Sequence, residues 1–559
     1  MGMPILDEAI LLKLPLATTG FSVIRNSKIY VDKTSMIRKL AVTDGAPVFL
    51  SRPRRFGKSL LVSTFESLFS RGLQDFKGLA IETGKEKWTD KTYKTVRLDF
   101  SQYANFSCEE LSKRFALDLA DSFEDTGKNP ATDEHGNYYP PEYILRRGIR
   151  NLPDKSVVLL IDEYDSPITH HIHDVSERDK IIAVLAGFFA TIKSYEPKFR
   201  FVFITGITRI AHVSLFSVFN TLKDITCDDD YATLLGITDA ELHHYFDPYV
   251  RNAAAVLDMS VSDVYEKMKT VYDGFQFSID SAETVYNPWS VLSFLRDPKK
   301  GFLNYWYATS GGTPTILVKY LEDKGNLDLF SKLSYRVKNA DDGENLVSLD
   351  TLMSKSEPGK IPMAMLLTQA GYFTLRRASS EYARLAIPND EVAESLLKLM
   401  LDINHLSPSL VTQGRLEGIP DMVNAGDVTG IFRIFNAMLC EGISANAKAF
   451  NDENSIRDFI YVLLPRDGII KSRGNPNAKG FSDLEIRTNE VKLVIEFKRI
   501  RDDYPLKTAM NDALNQLKSR HYGETVQNLR LIRAAMVISP KDRNLADFRV
   551  LEENPDITG

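Results

Sequence analysis

Residues 157–162, VVLLID, are apolar at every position until the run closes on Asp162 and Glu163. A strand that is apolar on both faces belongs in the middle of a parallel sheet with helices on either side. Three further runs have the same character: PVFL at 47–50, TVRLDF at 95–100 and FRFVFITG at 199–206. Helix-like stretches separate them, LLVSTFESLF after Ser59 among them, so residues 1–230 are expected to form a layered α/β domain. From 231 to 440 the pattern turns to amphipathic helices with short extended pieces, and 441–559 returns to mixed α/β. Three domains in 559 residues agree with a usual core size of roughly 150 residues.

The first strand leads into Ser51-Arg52-Pro53-Arg54-Arg55-Phe56-Gly57-Lys58-Ser59 and then a helix. Gly-Lys-Ser between a strand and a helix is the second half of a phosphate-binding loop. Gly57 lets the backbone approach phosphate oxygens, and the amides opening the helix at Ser59 and Leu60 carry the positive end of its dipole. Lys58 supplies a charge for the β and γ oxygens, and the Ser59 hydroxyl a ligand for Mg²⁺. Arg55 and Phe56 complete the candidate loop, while Arg52 stands where a glycine usually begins it. The same tripeptide also occurs in ordinary surface loops, so the acidic end of VVLLID carries weight. Asp162 would hold the Mg²⁺ through water and Glu163 would orient the attacking water. Thr205 and Arg209, at the end of FVFITG, are candidate sensors of the γ-phosphate.

Tyr30-Val31-Asp32-Lys33-Thr34, RPRRFGKSL (52–60) and LIDEYDSPI (160–168) together resemble the AAA-ATPase-like family of bacterial proteins. That family carries an arginine-rich loop in place of the first glycine. The YDGF stretch at 272–275, VYNPW at 285–289, YWYATSG at 305–311 and LTQAGY at 367–372 agree with it. The resemblance covers most of residues 10–400. It implies a P-loop ATPase core followed by a helical, winged-helix-like region, with ATP and Mg²⁺ as ligands. On their own the aromatic motifs of the middle region read as core packing and turns.

Near the other end, Asp483 precedes LEIRTNEVKLVI, which leads to Glu496-Phe497-Lys498. Residues two apart on a strand share a face, so Glu496 and Lys498 point the same way, and a hairpin would bring Asp483 to them. Two carboxylates that hold a divalent cation, with a lysine beside them, form the apparatus of phosphodiester hydrolysis. Glu496 also sits inside an apolar run, where a carboxylate without a partner is costly. This pattern is similar to the PD-(D/E)xK nuclease superfamily. The resemblance adds Glu453, on ENSIRDFIYVLL, as a further metal ligand, and Gln516-Leu517 with Tyr522 as a trailing helix motif. It departs at Ser482, where the family usually has arginine.

The expected fold is therefore a parallel P-loop sheet, a mainly helical middle region and a restriction-endonuclease-like α/β domain. The net charge of −6 excludes a global basic field, so any DNA or RNA contact must be local. Locally basic candidates are Arg52, Arg54 and Arg55, for which nucleotide phosphate is the nearer partner, and Lys471, Arg473 and Lys479. The cysteines, Cys108, Cys227 and Cys440, are three and far apart, which speaks for a reducing compartment. No basic leader and no run of roughly 18 apolar residues occurs, so the cytoplasm is the expected location and no membrane partner is expected. The cluster His170, His171 and His173 reads as a surface loop. A homo-oligomer is compatible with the sequence, since P-loop sites are often completed by a neighbour's arginine. The competing reading is a nucleotide-dependent switch whose nuclease-like part only binds a partner or nucleic acid.

Overall fold

The computed structural model describes the chain except residues 1–5, 7, 17, 44–45, 125–129, 209–221, 307–314, 322–329, 331–332, 334–336, 338–344, 354–360, 380, 404–415, 443–452, 465–468, 473–474, 478–479, 521–528, 540, 543 and 552–559. It divides into two compact units, Met1–Ser395 and Leu396–Gly559.

The first unit is built on five strands: β1 (Val48–Ser51), β2 (Lys94–Asp99), β3 (Val157–Asp162), β4 (Phe199–Gly206) and β5 (Lys223–Asp224). Their spatial order is β2-β3-β4-β1-β5 and every pairing is parallel. β1 and β3 are buried at every position, as their apolar runs require. One face of β4 presents Phe201 and Phe203, which pack against Phe65 and Phe69 of the helix Lys58–Arg71. β4 lies between the two strands whose ends carry Lys58 and Asp162. The carboxyl ends of β1, β4 and β3 therefore form one rim, where open parallel sheets bind ligands.

Contacts run across residue 230, where a boundary was expected. The N-terminal segment, including Leu14 and the flanking Leu6 and Ile10, packs into the core formed by the helices Asp239–Leu257, Val261–Tyr272 and Pro288–Arg296. The Tyr249 hydroxyl donates to the Ile10 carbonyl at 3.0 Å, and Lys33 pairs with Glu241 at 2.6 Å. The chain start thus buries its apolar surface against residues more than two hundred positions away. Farther on, β6 (Leu346–Ser348), two helices, Leu349–Met353 and Met363–Ala370, and the hairpin of β7 (Thr374–Arg377) and β8 (Tyr382–Ala386) follow in the order of a winged helix.

The second unit carries β9 (Ile470–Ser472), β10 (Asn475–Asn477), β11 (Gly480–Ser482), β12 (Leu484–Arg487), β13 (Val491–Arg499), β14 (Arg530–Ser539) and β15 (Asn544–Leu551). Its main sheet runs β15-β14-β13-β12-β9, with β13 and β14 parallel and joined through the helix Leu506–Arg520. Alternation along β13 sends Leu493, Ile495 and Phe497 into one core and Val494 into another beneath that helix. The helix Val428–Gly442, which spans the boundary expected at 440, shares the first of these cores. No helix among the described residues is long and apolar enough to cross a membrane.

Candidate functional site

The first site lies on the rim of the parallel sheet. Gly57 adopts φ +94°, a conformation that side chains resist, and ends the loop where the helix Lys58–Arg71 starts. The Phe56 ring is buried edge-on against Phe275 at 4.9 Å and Phe277 at 5.0 Å, and the Arg55 guanidinium lies 4.2 Å over the Trp289 ring. The aromatic motifs of the middle region do pack, and what they pack is the phosphate-binding loop.

Arg52 is not a phosphate ligand in this arrangement, which corrects the reading of that arginine. It is 1% exposed and donates to the carbonyls of Ser51 (2.9 Å), Thr226 (2.6 Å) and Tyr231 (3.2 Å), with its guanidinium 4.3 Å over Phe277. Burial lowers its pKa to about 10, which leaves it protonated at neutral pH. A side chain thus does here what a glycine turn does elsewhere, fixing how the chain leaves β1.

Lys58 is buried and donates to the carbonyls of Arg52 at 2.9 Å and Pro53 at 3.0 Å. Burial lowers its pKa, opposed by Glu163, Asp162 and Asp165. Asp162 is 2% exposed and accepts a hydrogen bond from the Ser59 side chain, while its Oδ1 has no hydrogen-bond partner. Burial raises the pKa of both Asp162 and Glu163, with Lys58 pulling the other way. Glu163 sits at φ +50°, a strained conformation for a residue with a side chain and one that clusters at functional positions.

The sequence reading missed Asp165. Its carboxylate accepts from the amide of Thr208 at 2.7 Å, the Thr208 hydroxyl at 2.6 Å and the Ile207 amide at 3.2 Å. The Tyr164 hydroxyl donates to the Thr208 carbonyl at 2.9 Å. The segment after β3 therefore holds the segment after β4. A Cβ on Gly206 would come within 2.5 Å of Asp165 Oδ1, so this clamp requires glycine there. Thr205 is turned away from the site, its hydroxyl donating to the Leu50 carbonyl at 2.8 Å. Arg209 lies outside the described residues. The ring nitrogens of His170 and His171 lie 2.9 Å from the carbonyls one turn back, Ser166 and Pro167.

The second site is on the β12–β13 hairpin. Leu484 pairs with Ile495, so Asp483 comes level with Glu496. Asp483 Oδ2 accepts the Phe497 amide at 2.8 Å, and Lys498 Nζ donates to Glu496 Oε1 at 2.9 Å. Glu496 is 1% exposed. The hairpin expected from the sequence therefore gathers Asp483, Glu496 and Lys498 on one side. That side also holds an ion pair between Glu485 and Lys492 at 3.0 Å, and the Ser482 hydroxyl donates to Glu485 at 2.8 Å. Arg457, which the sequence reading overlooked, pairs with Asp483 at 3.2 Å from the helix Glu453–Leu463. It lies one turn beyond Glu453, whose own side chain is outside what the structure describes. Gln516 is half-buried on the helix Leu506–Arg520, and Tyr522 lies outside the described residues.

Residues 15–216 match the family model of the predicted AAA-ATPases, and residues 451–548 match that of the PD-(D/E)XK nuclease superfamily. The chain joins an AAA-ATPase-like region to a PD-(D/E)XK-like one. Over 522 residues it is 28% identical to the "uncharacterized protein in vnfD 5′ region" of Azotobacter chroococcum mcd 1, covering 92% of this chain and 93% of that protein. A solved Walker-type ATPase of Pyrococcus abyssi aligns with 65% of this chain and 94% of its own length, at 12% identity and a TM-score of 0.32. The AAA-ATPase-like match spans both Lys58 and Asp162, and the PD-(D/E)XK-like match spans Asp483, Glu496 and Lys498. The clamp made by Asp165 falls inside the first match and Arg457 inside the second. The signal for Asp165 lay in LIDEYDSPI, where it is the third acid and follows a tyrosine. The signal for Arg457 was its helical spacing from Glu453.

Proposed function

We propose that the chain binds ATP with Mg²⁺ at Arg55–Leu60, hydrolyses it with Glu163, and couples this to cleavage of DNA or RNA at Asp483, Glu496 and Lys498. The observation that carries the ATP half is that Asp162 and Glu163 act electrostatically on the buried Lys58, with Asp162 Oδ1 left without a partner. Lys58 exchanges its two backbone carbonyls for phosphate oxygens, and so brings a desolvated charge to the place where anionic charge grows. Glu163, favoured in its protonated form by burial and in its ionised form by Lys58, is suited to orient water and accept its proton. Mg²⁺, held by Ser59 and Asp162, would supply charge neutralisation on the β and γ oxygens.

In the second unit, Asp483 and Glu496 are oxygen donors of the kind a hard divalent cation takes, with Glu453 as a third. A cation there would supply electrophilic activation of the phosphate. Lys498, already on Glu496, orients the attacking group and balances the carboxylate charge. The Ser482 hydroxyl is used in holding Glu485, so the position where the superfamily usually has arginine contributes to the site's support.

Cleavage of mixed DNA and RNA with Mg²⁺ and ATP tests the reading directly. Lys58→Ala should abolish ATP turnover and sharply reduce cleavage. Unchanged cleavage without ATP turnover would remove the coupling, and full ATP turnover in Glu163→Gln would remove that residue's role. One observation favours a second reading, a nucleotide switch whose hairpin only binds nucleic acid or a partner: Asp483 is held by Arg457 and the Phe497 amide. Cleavage that persists in Lys498→Ala, or none in the wild type, would favour that reading.

A further inference from the structure

The phosphate-binding loop meets the LTQAGY stretch (367–372) at Gly371, with the YWYATSG stretch (305–311) standing behind it. Gly371 ends the helix Met363–Ala370 at φ +89°. A Cβ on it would lie 2.8 Å from the Pro53 Cβ, 3.1 Å from the Pro53 Cγ and 3.4 Å from the Trp306 ring. Its backbone conformation and the closeness of Pro53 therefore both require glycine. Behind it the structure is firmly held. The Trp306 ring meets Tyr372 edge-on at 5.0 Å, and the amides of Tyr305 and Trp306 donate to the buried Glu391 carboxylate at 2.8 and 3.0 Å.

Along the helix that leads to Gly371, Met363, Met365, Leu366, Leu367, Gln369 and Ala370 are buried. A helix so covered is not one that enters a DNA groove. What it covers is the back of the phosphate-binding loop: Met365, Thr368 and Gln369 share a cavity of about 50 Å³ with Ser51, Arg52 and Pro53. Pro53 is also one of the two residues whose carbonyls hold Lys58. The other, Arg52, is anchored by its guanidinium on Thr226 and Tyr231. Pro53 has no N–H to anchor it, and its ring rests on Gly371 instead. Phosphate arriving at Lys58 takes the place of the Pro53 carbonyl, and the cavity on that side gives the loop room to shift.

We propose that Gly371 is a positioning residue of the phosphate-binding loop: it keeps the Pro53 carbonyl on Lys58 while no nucleotide is bound and gives way when phosphate replaces that carbonyl. The helix Met363–Ala370 then responds to the state of a site it does not touch with any charged group. The proposal rests on the nucleotide-binding reading above and adds regulation of that site by the middle region. It also has a sign. The close contact belongs to the nucleotide-free arrangement, so a Cβ at residue 371 strains that arrangement alone. The strain of φ +89° is present with and without nucleotide and cancels in the affinity. Forcing Pro53 away therefore releases Lys58 and favours ATP.

Two measurements on the full chain test it: amide hydrogen exchange with and without Mg·ATP, and calorimetric titration of Mg·ATP into Gly371→Ala, Pro53→Gly and the double variant. The amides of Gly371, Tyr372 and Phe373 bond back to the carbonyls of Thr368 and Leu367. Mg·ATP should slow exchange over residues 54–62 and speed it at these three amides by at least about tenfold. Gly371→Ala should bind ATP about tenfold more tightly than the wild type. The double variant should bind it as Pro53→Gly does, because the added methyl then has no ring to meet. Slower exchange over 54–62 with no change at 371–373 would overturn the proposal and leave ATP binding standing. So would ATP affinity in Gly371→Ala no tighter than in the wild type, or additive effects in the double variant. Should Gly371→Ala not fold, the exchange measurement on the wild type decides alone. Failure of the wild type to bind ATP would overturn the nucleotide-binding reading, and the proposal with it.

Discussion

The Lys58 ammonium lies 2.9 Å from the carbonyl of Arg52, and the Arg52 side chain in turn holds the carbonyls of Ser51, Thr226 and Tyr231. One basic residue is thereby set to exchange partners while the other is fixed. On the proposed function, the partners of Lys58 can be given up, because a phosphate would replace them. The two basic side chains, six residues apart, thus have opposite tasks.

Replacing Arg52 with glycine would restore the usual loop pattern and should nonetheless destabilise the protein. Each buried carbonyl left without a donor costs about 1–3 kcal/mol; the Ser51 and Thr226 carbonyls lose the Arg52 donor, while that of Tyr231 keeps the Leu234 amide at 3.2 Å. Denaturant unfolding of Arg52→Gly should show a loss of at least about 2 kcal/mol. A variant as stable as the wild type would contradict the structural role given to this arginine.

Burial holds the Asp162 carboxyl above the ordinary value of about 4. Below about pH 4 the folded and unfolded chains both keep the proton, and the cost of burying charge is absent. That cost grows as pH rises from about 4 to the raised folded value and persists above it. Asp162→Asn should therefore raise the Tm at pH 7, with the difference closing as pH falls toward 4. The same variant should lose about 10–100-fold in Mg²⁺-dependent ATP turnover, as expected for a residue that holds the cation through water.

The Glu485–Lys492 pair is buried on both sides, with side chains 7% and 9% exposed. Removing one partner strands the other, at about 3–5 kcal/mol. Glu485→Gln should show that loss in chemical unfolding, and Glu485→Gln combined with Lys492→Met should recover most of it. A double variant no more stable than the single would mean that the pair is not what holds this part of the hairpin.

Arg457 neutralises Asp483 from the helix side at 3.2 Å. Arg457→Ala leaves that carboxylate to compete for cations. Mn²⁺ binding followed by calorimetry should tighten by about tenfold, and Arg457→Lys should lie between the two. Unaltered Mn²⁺ affinity would show that Arg457 and the cation do not compete for Asp483.

How much of this was legible beforehand follows the range of the interactions involved. Periodicity is local, so the runs that became β1 to β4 and the Asp483–Lys498 hairpin could be read from consecutive residues. The motifs at Lys58 and Asp162 were legible for the same reason, since each is a short run of particular residues in sequence. Partners far along the chain were not legible. Nothing near Arg52 indicates that its guanidinium ends on Thr226 and Tyr231, and nothing near Phe56 points to Phe275 and Phe277. The contacts that cross residue 230 were not legible on the same account, because Leu6, Ile10, Leu11, Leu14 and Leu16 find their cover from residue 237 onward.

By itself the sequence determined the kinds of element and the residue types at their ends, because backbone periodicity and short motifs act over a few neighbouring residues. Only the tertiary structure decided which charges are free to change partners and which are fixed, and that Pro53 rests on Gly371. Those depend on desolvation and on side chains that meet only after chain segments more than two hundred residues apart have packed together.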